Sequence, residues 1–175
     1  MNILIDRMIR AARLDVHLYE EVEADKGALG QAMTVVVISS VAAGFGSMVQ
    51  GGMSGIFIGI IMALLGWYIW AYLTYLIGTR FLPEPQTKAD LGEMLRTIGF
   101  SSSPGLIRVL GIIPGLAGIV SLVALVWMLV AMVIAVRQVL DYRSTPRAVG
   151  VCVIGWIIYA VSGAILAFFI GGAGR

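Results

Sequence analysis

Four stretches of this chain are long enough to cross a bilayer and hold no charged side chain: Ala28 to Val49, Ile56 to Ile77, Leu116 to Val136 and Val149 to Ile170. A membrane span needs about 20 mostly apolar residues. Inside lipid each backbone N–H and C=O must be satisfied within the segment, so such runs become helices. Composition agrees: 59% of the residues are hydrophobic and 13% charged, with a mean hydropathy of +0.96, whereas a soluble domain carries roughly 25% charged residues. That apolar surplus is too large for one small aqueous core. The fold class read from the sequence is all-α, a polytopic membrane helical bundle.

Several function classes drop out. The net charge of +2 is mild and no Lys/Arg stripe with interleaved aromatics occurs, so nucleic acid is excluded as a partner. The single cysteine, Cys152, lies in an apolar run, which removes disulfide frameworks and CxxC chemistry. His17 is the sole histidine and sits away from the spans, so neither a His-ligated metal site nor a Ser/His pair assembles in the membrane. We expect no enzyme, no metal and no cofactor.

Ahead of the first span, Met1 to Ala12 reads as an amphipathic helix. Met1, Leu4, Ile5, Met8, Ile9 and Ala12 fall on one half, and Asn2, Asp6, Arg7 and Arg10 on the other. It either lies in the membrane interface with arginines toward headgroups or packs on the protein's own core. No continuous signal-peptide core is present, so the N-terminus is expected to be retained. An acidic patch follows, with Tyr19, Glu20, Glu21, Glu23 and Asp25 as a candidate cytoplasmic docking surface.

Leu91 to Ile113 is harder, because it contains Glu93, Arg96, Arg108, the run Ser101, Ser102, Ser103, and Pro104. Loop charges decide its role. The positive-inside rule counts Lys and Arg in short loops. Arg7, Arg10, Arg13 and Lys26 precede the first span, Arg80 and Lys88 follow the second, and Arg137, Arg143 and Arg147 follow the Leu116 span, while the turns at Gln50 to Gly55 and Gly111 to Gly115 have none. All basic loops share one side if Leu91 to Ile113 crosses. The expectation is five transmembrane helices in a bacterial inner membrane, N-terminus cytoplasmic and C-terminus outside. The segments are then 1–27, cytoplasmic; 28–171, five-helix membrane domain; and 172–175, a short tail.

A charge at bilayer depth costs several kcal/mol, so the polar third span carries the candidate functional positions Glu93, Arg96, Ser101, Ser102, Ser103, Pro104 and Arg108. Glu93 and Arg96 are spaced to pair on one helical face, and Arg108 can snorkel. Pro104 lacks a backbone donor and the serines can satisfy freed carbonyls, which predicts a kinked or broken helix. Gly51, Gly55, Gly59 and Ala63 form a small-residue stripe, with Gly163, Ala167 and Gly171 on the last helix and Ser39, Ala43 and Ser47 on the first. Such stripes serve helix packing within the chain or meet a partner helix. Trp67, Trp70, Tyr72, Tyr75 and Phe81 read as an interfacial aromatic belt.

Taken together, Leu14 to Asp25, Gly66 to Tyr72, Gly99 to Pro104 and Ala135 to Tyr142, in a chain of five clustered spans, resemble the Yip family of Ypt/Rab-interacting membrane proteins in its compact bacterial form. The resemblance runs roughly from Leu14 to Ile170. It implies the membrane fold, and in eukaryotes an association with Rab GTPases and vesicle traffic. Eukaryotic members tend to carry Asp-Leu-Tyr-Gly-Pro before the spans, whereas Leu18-Tyr19 is followed here by Glu20-Glu21. The resemblance therefore carries over fold and location, with no activity. Three roles stay open: a non-enzymatic scaffold or adaptor with membrane-protein partners or as a homo-oligomer; a small transporter or lipid-handling protein with a path along the broken third helix; and an accessory subunit of a larger membrane complex. All three have the lipid bilayer as partner.

Overall fold

The structure, a computed structural model, describes residues 2–46 and 48–172, with side chains described for 2–45, 57–162 and 164. Among the described residues the chain is α-helical with no strand: α1 (Ile3–Ala12), α2 (Val16–Ala24), α3 (Ala28–Gly46), α4 (Met48–Leu76), a π turn (Ile77–Phe81), α5 (Leu91–Phe100), a 3₁₀ helix (Ser103–Ile112), α6 (Ala117–Val139) and α7 (Thr145–Gly172). Four helices are long and apolar enough to cross a membrane, over Ala28–Phe45, Phe57–Phe81, Ala117–Val139 and Thr145–Ser162. Their outer faces are apolar too: Phe57 is 68% exposed and Ile119 65%. An aqueous surface would disfavour this, whereas lipid accepts it. The expected turn at Gln50 to Gly55 is corrected, because α4 already runs from Met48. Glycine is a helix breaker in water, but in lipid a broken helix leaves backbone groups without partners.

The third segment forms the centre. Asp90 starts α5 with a capping box: its Oδ1 accepts from Glu93 N at 2.8 Å, and Glu93 Oε2 accepts from Asp90 N at 2.8 Å. Every residue from Met94 to Phe100 is buried, with α2, α3, α4 and α6 around it. The break expected at Pro104 follows, since α5 ends at Phe100 and the 3₁₀ helix starts at Ser103. Ser101 Oγ donates to Ile98 O at 2.7 Å and Ser103 Oγ to Phe100 O at 2.7 Å, which satisfies carbonyls freed by the break.

Glycine lets this segment approach its neighbours. A Cβ on Gly99 would lie 2.7 Å from Ala32 Cβ, and one on Gly105 would lie 3.0 Å from Met128 Sδ and 3.3 Å from Ser39 Oγ. Six residues along the third segment thus match seven along α3, so the two run parallel.

At one end of the bundle three separate parts of the chain meet. Gln86 Nε2 donates to Asp141 O at 2.9 Å and Thr87 Oγ1 to Leu140 O at 2.9 Å, while Glu84 accepts from Arg143 N at 3.2 Å and pairs with Arg147 at 3.3 Å. Gln138 Nε2 reaches Glu20 Oε1 of α2 at 3.0 Å. Tyr142 seals the end of α4, its hydroxyl donating within reach of Gly78 O (3.1 Å), inside the π turn, and Leu82 O (2.7 Å), just after it.

The pair α1–α2 lies against the flank of α3, α5 and α6, where Ala11, Leu18, Tyr19 and Val22 share a core with Ala32, Phe100 and Ala135. Trp127, near the middle of α6, donates Nε1–H to Ala12 O at 2.8 Å. The turn between the two helices holds Leu14 at φ 62°, a left-handed residue that lets Asp15 N bond back to Arg10 O at 3.0 Å.

Candidate functional site

Polar groups collect in two places, and the expected site residues divide between them. The first is the junction of α1, α2, α3 and α5. Arg7 is 4% exposed and donates to Glu21 Oε1 (2.8 Å), Gln31 Oε1 (2.9 Å) and Asp25 Oδ2 (2.9 Å). Arg10 holds Asp15 at 2.8 Å and Glu21 at 2.5 Å. Of the two readings of α1, packing on the protein's own core is the one seen: Leu4 and Met8 lie against the buried cluster, and Arg7 and Arg10 are paired instead of turned to headgroups. The carboxylates of α2 offer Arg7 and Arg10 closer partners, so the charged face of α1 turns inward and Ile3, Ile5 and Ile9 stay exposed. The Arg10 guanidinium holds the Glu21 and Asp15 carboxyls below their ordinary range, and Arg7 does the same for Asp25.

Arg96 belongs to this junction. Its Nε donates to Val22 O at 2.9 Å and its NH2 to Glu23 O, so it caps the C-terminal carbonyls of α2, where a cation is also favoured by the helix dipole. Glu93 is engaged in the α5 cap, and among the described residues it makes no ion pair with Arg96. Their expected pairing is therefore replaced by two separate capping roles. Glu23 is half-buried beside Arg96, and desolvation, with Glu93 and Asp141 nearby, pushes its carboxyl up to about 7.

The docking residues fare unequally. Tyr19 is 0% exposed and out of a partner's reach in this structure, with its hydroxyl lacking a hydrogen-bond partner among the described residues. Glu21 and Asp25 face Arg7. Glu20 remains exposed, beside His17 and Gln138.

The second place is a cavity of about 670 Å³ walled by α3, α4, α5, the 3₁₀ helix, α6 and Trp156 of α7. Ser101, Ser102 and Arg108 line it; Glu93, Arg96, Ser103 and Pro104 do not. Ser39 Oγ donates to Ser102 O at 2.6 Å, tying α3 to the break. On α4 the wall is Gly59, Met62, Ala63, Gly66, Trp67 and Trp70. Among the described residues a Cβ placed on Gly59 or Gly66 would meet no atom within 4 Å, so these glycines border open space instead of a packed helix. Gly51, Gly55, Gly163 and Ala167 lie in α4 and α7 but outside the residues whose side chains and burial are described.

Trp67 and Trp70 correct the belt reading. Trp67 Nε1 donates to Leu95 O at 3.1 Å and Trp70 Nε1 to Met132 Sδ at 2.8 Å, so both rings turn into the bundle. Trp70 also meets Trp156 edge-on at 6.5 Å. Tyr72 and Phe81 stay exposed. Spacing carries a partial signal: Gly59, Ala63, Gly66 and Trp70 recur at helical intervals on one face of α4.

An integral membrane protein whose apolar helices surround a buried, broken segment and an adjoining cavity is the class these features define. Within that class the chain belongs to the Yip1 domain family, whose model matches residues 17–170. No curated protein and no solved structure matches the chain.

Proposed function

We propose that this protein is a non-enzymatic lipid-handling protein that takes an acyl chain into the cavity beside the broken third helix. The cavity carries the reading: its volume falls within the roughly 300–1,000 Å³ of small-molecule sites, and its walls are mostly apolar with serines and one arginine. A phospholipid with a photoreactive acyl chain tests it on the full-length protein in nanodiscs. Label is expected on the α4 segment from Gly59 to Trp70, and Gly59→Leu with Gly66→Leu should cut it several-fold. Both sites have room for a side chain, so the fold should survive. Unchanged labelling in the filled variant would overturn the reading.

A scaffold or adaptor role is the second reading, favoured by the same open glycines, which also admit the backbone of a partner helix or of a second copy. It expects Gly66→Leu to reduce crosslinking between proteins in the membrane while acyl labelling of the unaltered chain is absent.

For both readings we infer a five-span topology in the bacterial inner membrane, N-terminus cytoplasmic. Its support is geometric. The link after α4 and the link after α6 meet at the α2 end of the bundle, so the chain between them has to travel the height of the bundle before α6 returns. Ten α-helical and ten 3₁₀ residues rise about 15 Å and about 20 Å, enough together for a hydrocarbon core of about 30 Å.

A further inference from the structure

We propose that the cavity selects phospholipids of net negative charge, with the lipid phosphate on the Arg108 guanidinium; this rests on the lipid-handling reading. Arg108 stands on the 3₁₀ helix, half-buried in the cavity wall, and its NH2 contacts Met128 Sδ at 3.0 Å, a weak acceptor for a group with five N–H donors. Arg7 and Arg96, the two arginines buried among the described residues, are satisfied by carboxylates, an amide oxygen and carbonyls. The serines do not repair the deficit, because Ser39, Ser40 and Ser101 donate to backbone carbonyls at 2.6, 2.8 and 2.7 Å and carry no charge. Among the described residues the cavity wall therefore has a cation and no anion.

The shape of the wall adds the second half of the ligand. Gly59 to Trp70 is twelve residues of helix, a rise of roughly 16 Å, which matches one leaflet of a hydrocarbon core about 30 Å thick. An acyl chain can run along Gly59, Ala63 and Gly66 to the Trp67 and Trp70 rings, whose N–H groups are already used. A phosphate suits the planar guanidinium fork. Net negative charge follows from what the wall lacks: a zwitterionic headgroup would bring its own cation beside Arg108, with no acidic side chain to receive it.

Tryptophan fluorescence tests this in the full chain. With Trp127 and Trp156 replaced by phenylalanine, Trp67 and Trp70 remain as reporters. The protein is placed in vesicles of phosphatidylglycerol or phosphatidylcholine with brominated acyl chains, and quenching is compared. We expect phosphatidylglycerol to be preferred about tenfold, the effect of one charge-assisted contact. Arg108→Gln should bring the preference near one, Arg108→Lys should retain part of it, and Gly66→Leu should lower quenching by both lipids. Equal quenching by the two lipids in the chain with Arg108 intact, or a preference that survives Arg108→Gln, overturns the selectivity and leaves lipid handling standing. Absence of quenching by either lipid removes both.

Discussion

Arg96 and Tyr19 are both buried in the same junction and meet opposite fates. Arg96 is visible in the sequence as a charge within an apolar segment, and its cost is offset by the Val22 and Glu23 carbonyls. No sequence pattern marks those acceptors, because every residue carries one; only the approach of α5 to the end of α2 selects them. Tyr19 hides a hydroxyl that has no partner among the described residues. Such a group costs about 1–3 kcal/mol to bury, so Tyr19→Phe is expected to leave the protein as stable or up to about that much more stable, by thermal unfolding in detergent. A loss of stability would mean that the hydroxyl has a partner. Glu23 gives a pH dependence. Its folded carboxyl titrates near 7 against an ordinary 4.5, so the folded state holds the proton more tightly. That contribution is complete below about 4.5 and is lost as pH rises through about 7. Glu23→Gln should therefore flatten the fall in melting temperature between those pH values and raise it at pH 8. Glu21 and Asp25, whose carboxyls are held low by Arg10 and Arg7, act in the opposite direction and only in stronger acid.

At the scale of elements, the sequence located the long helices well and their facing poorly. α3, α4, α6 and α7 are apolar all round, so periodicity gives no inner face, and the inward turn of the half-buried Trp67 and Trp70 had to come from packing. The third segment was more legible because polarity is rare there. Its Pro104, flanked by serines, marked the break, and its glycines marked closeness without saying to what. Gly99 meets Ala32 so tightly that a Cβ would overlap it, with Ala32 Cα and O at 3.2 Å. Overpacking of this kind costs typically about 1–3 kcal/mol. Gly99→Ala should lower the unfolding temperature accordingly, and adding Ala32→Gly should restore most of it. Failure of the second change to rescue the first would show that α3 and α5 do not meet at this pair. Gly59 and Gly66 look identical to Gly99 in sequence, yet open onto the cavity, so a small-residue stripe alone does not tell contact from void.

Across the whole molecule, the four stretches that carry the family resemblance fall where distant elements meet. Leu14 to Asp25 supplies the acids that hold α1 and the carbonyls that hold Arg96; Gly66 to Tyr72 walls the cavity; Gly99 to Pro104 touches α3 and breaks the central segment; Ala135 to Tyr142 ends in the side chain that closes α4. They join the bundle around one buried segment, and the number of crossings depends on that segment. If residues 91–113 pass through the membrane, the α2 end of the bundle lies in one compartment as a unit. If they do not, the loop after α6 must part from Glu84 and Glu20, breaking the Arg147 pair at 3.3 Å and the Gln138 bond at 3.0 Å. Single cysteines test this, introduced at exposed His17 and exposed Ser144 in a chain carrying Cys152→Ala. With an impermeant maleimide on intact cells, both positions should stay unlabelled and both should react after the membrane is opened. Reaction at Ser144 from outside, with His17 protected, would remove the fifth crossing and with it the shared face.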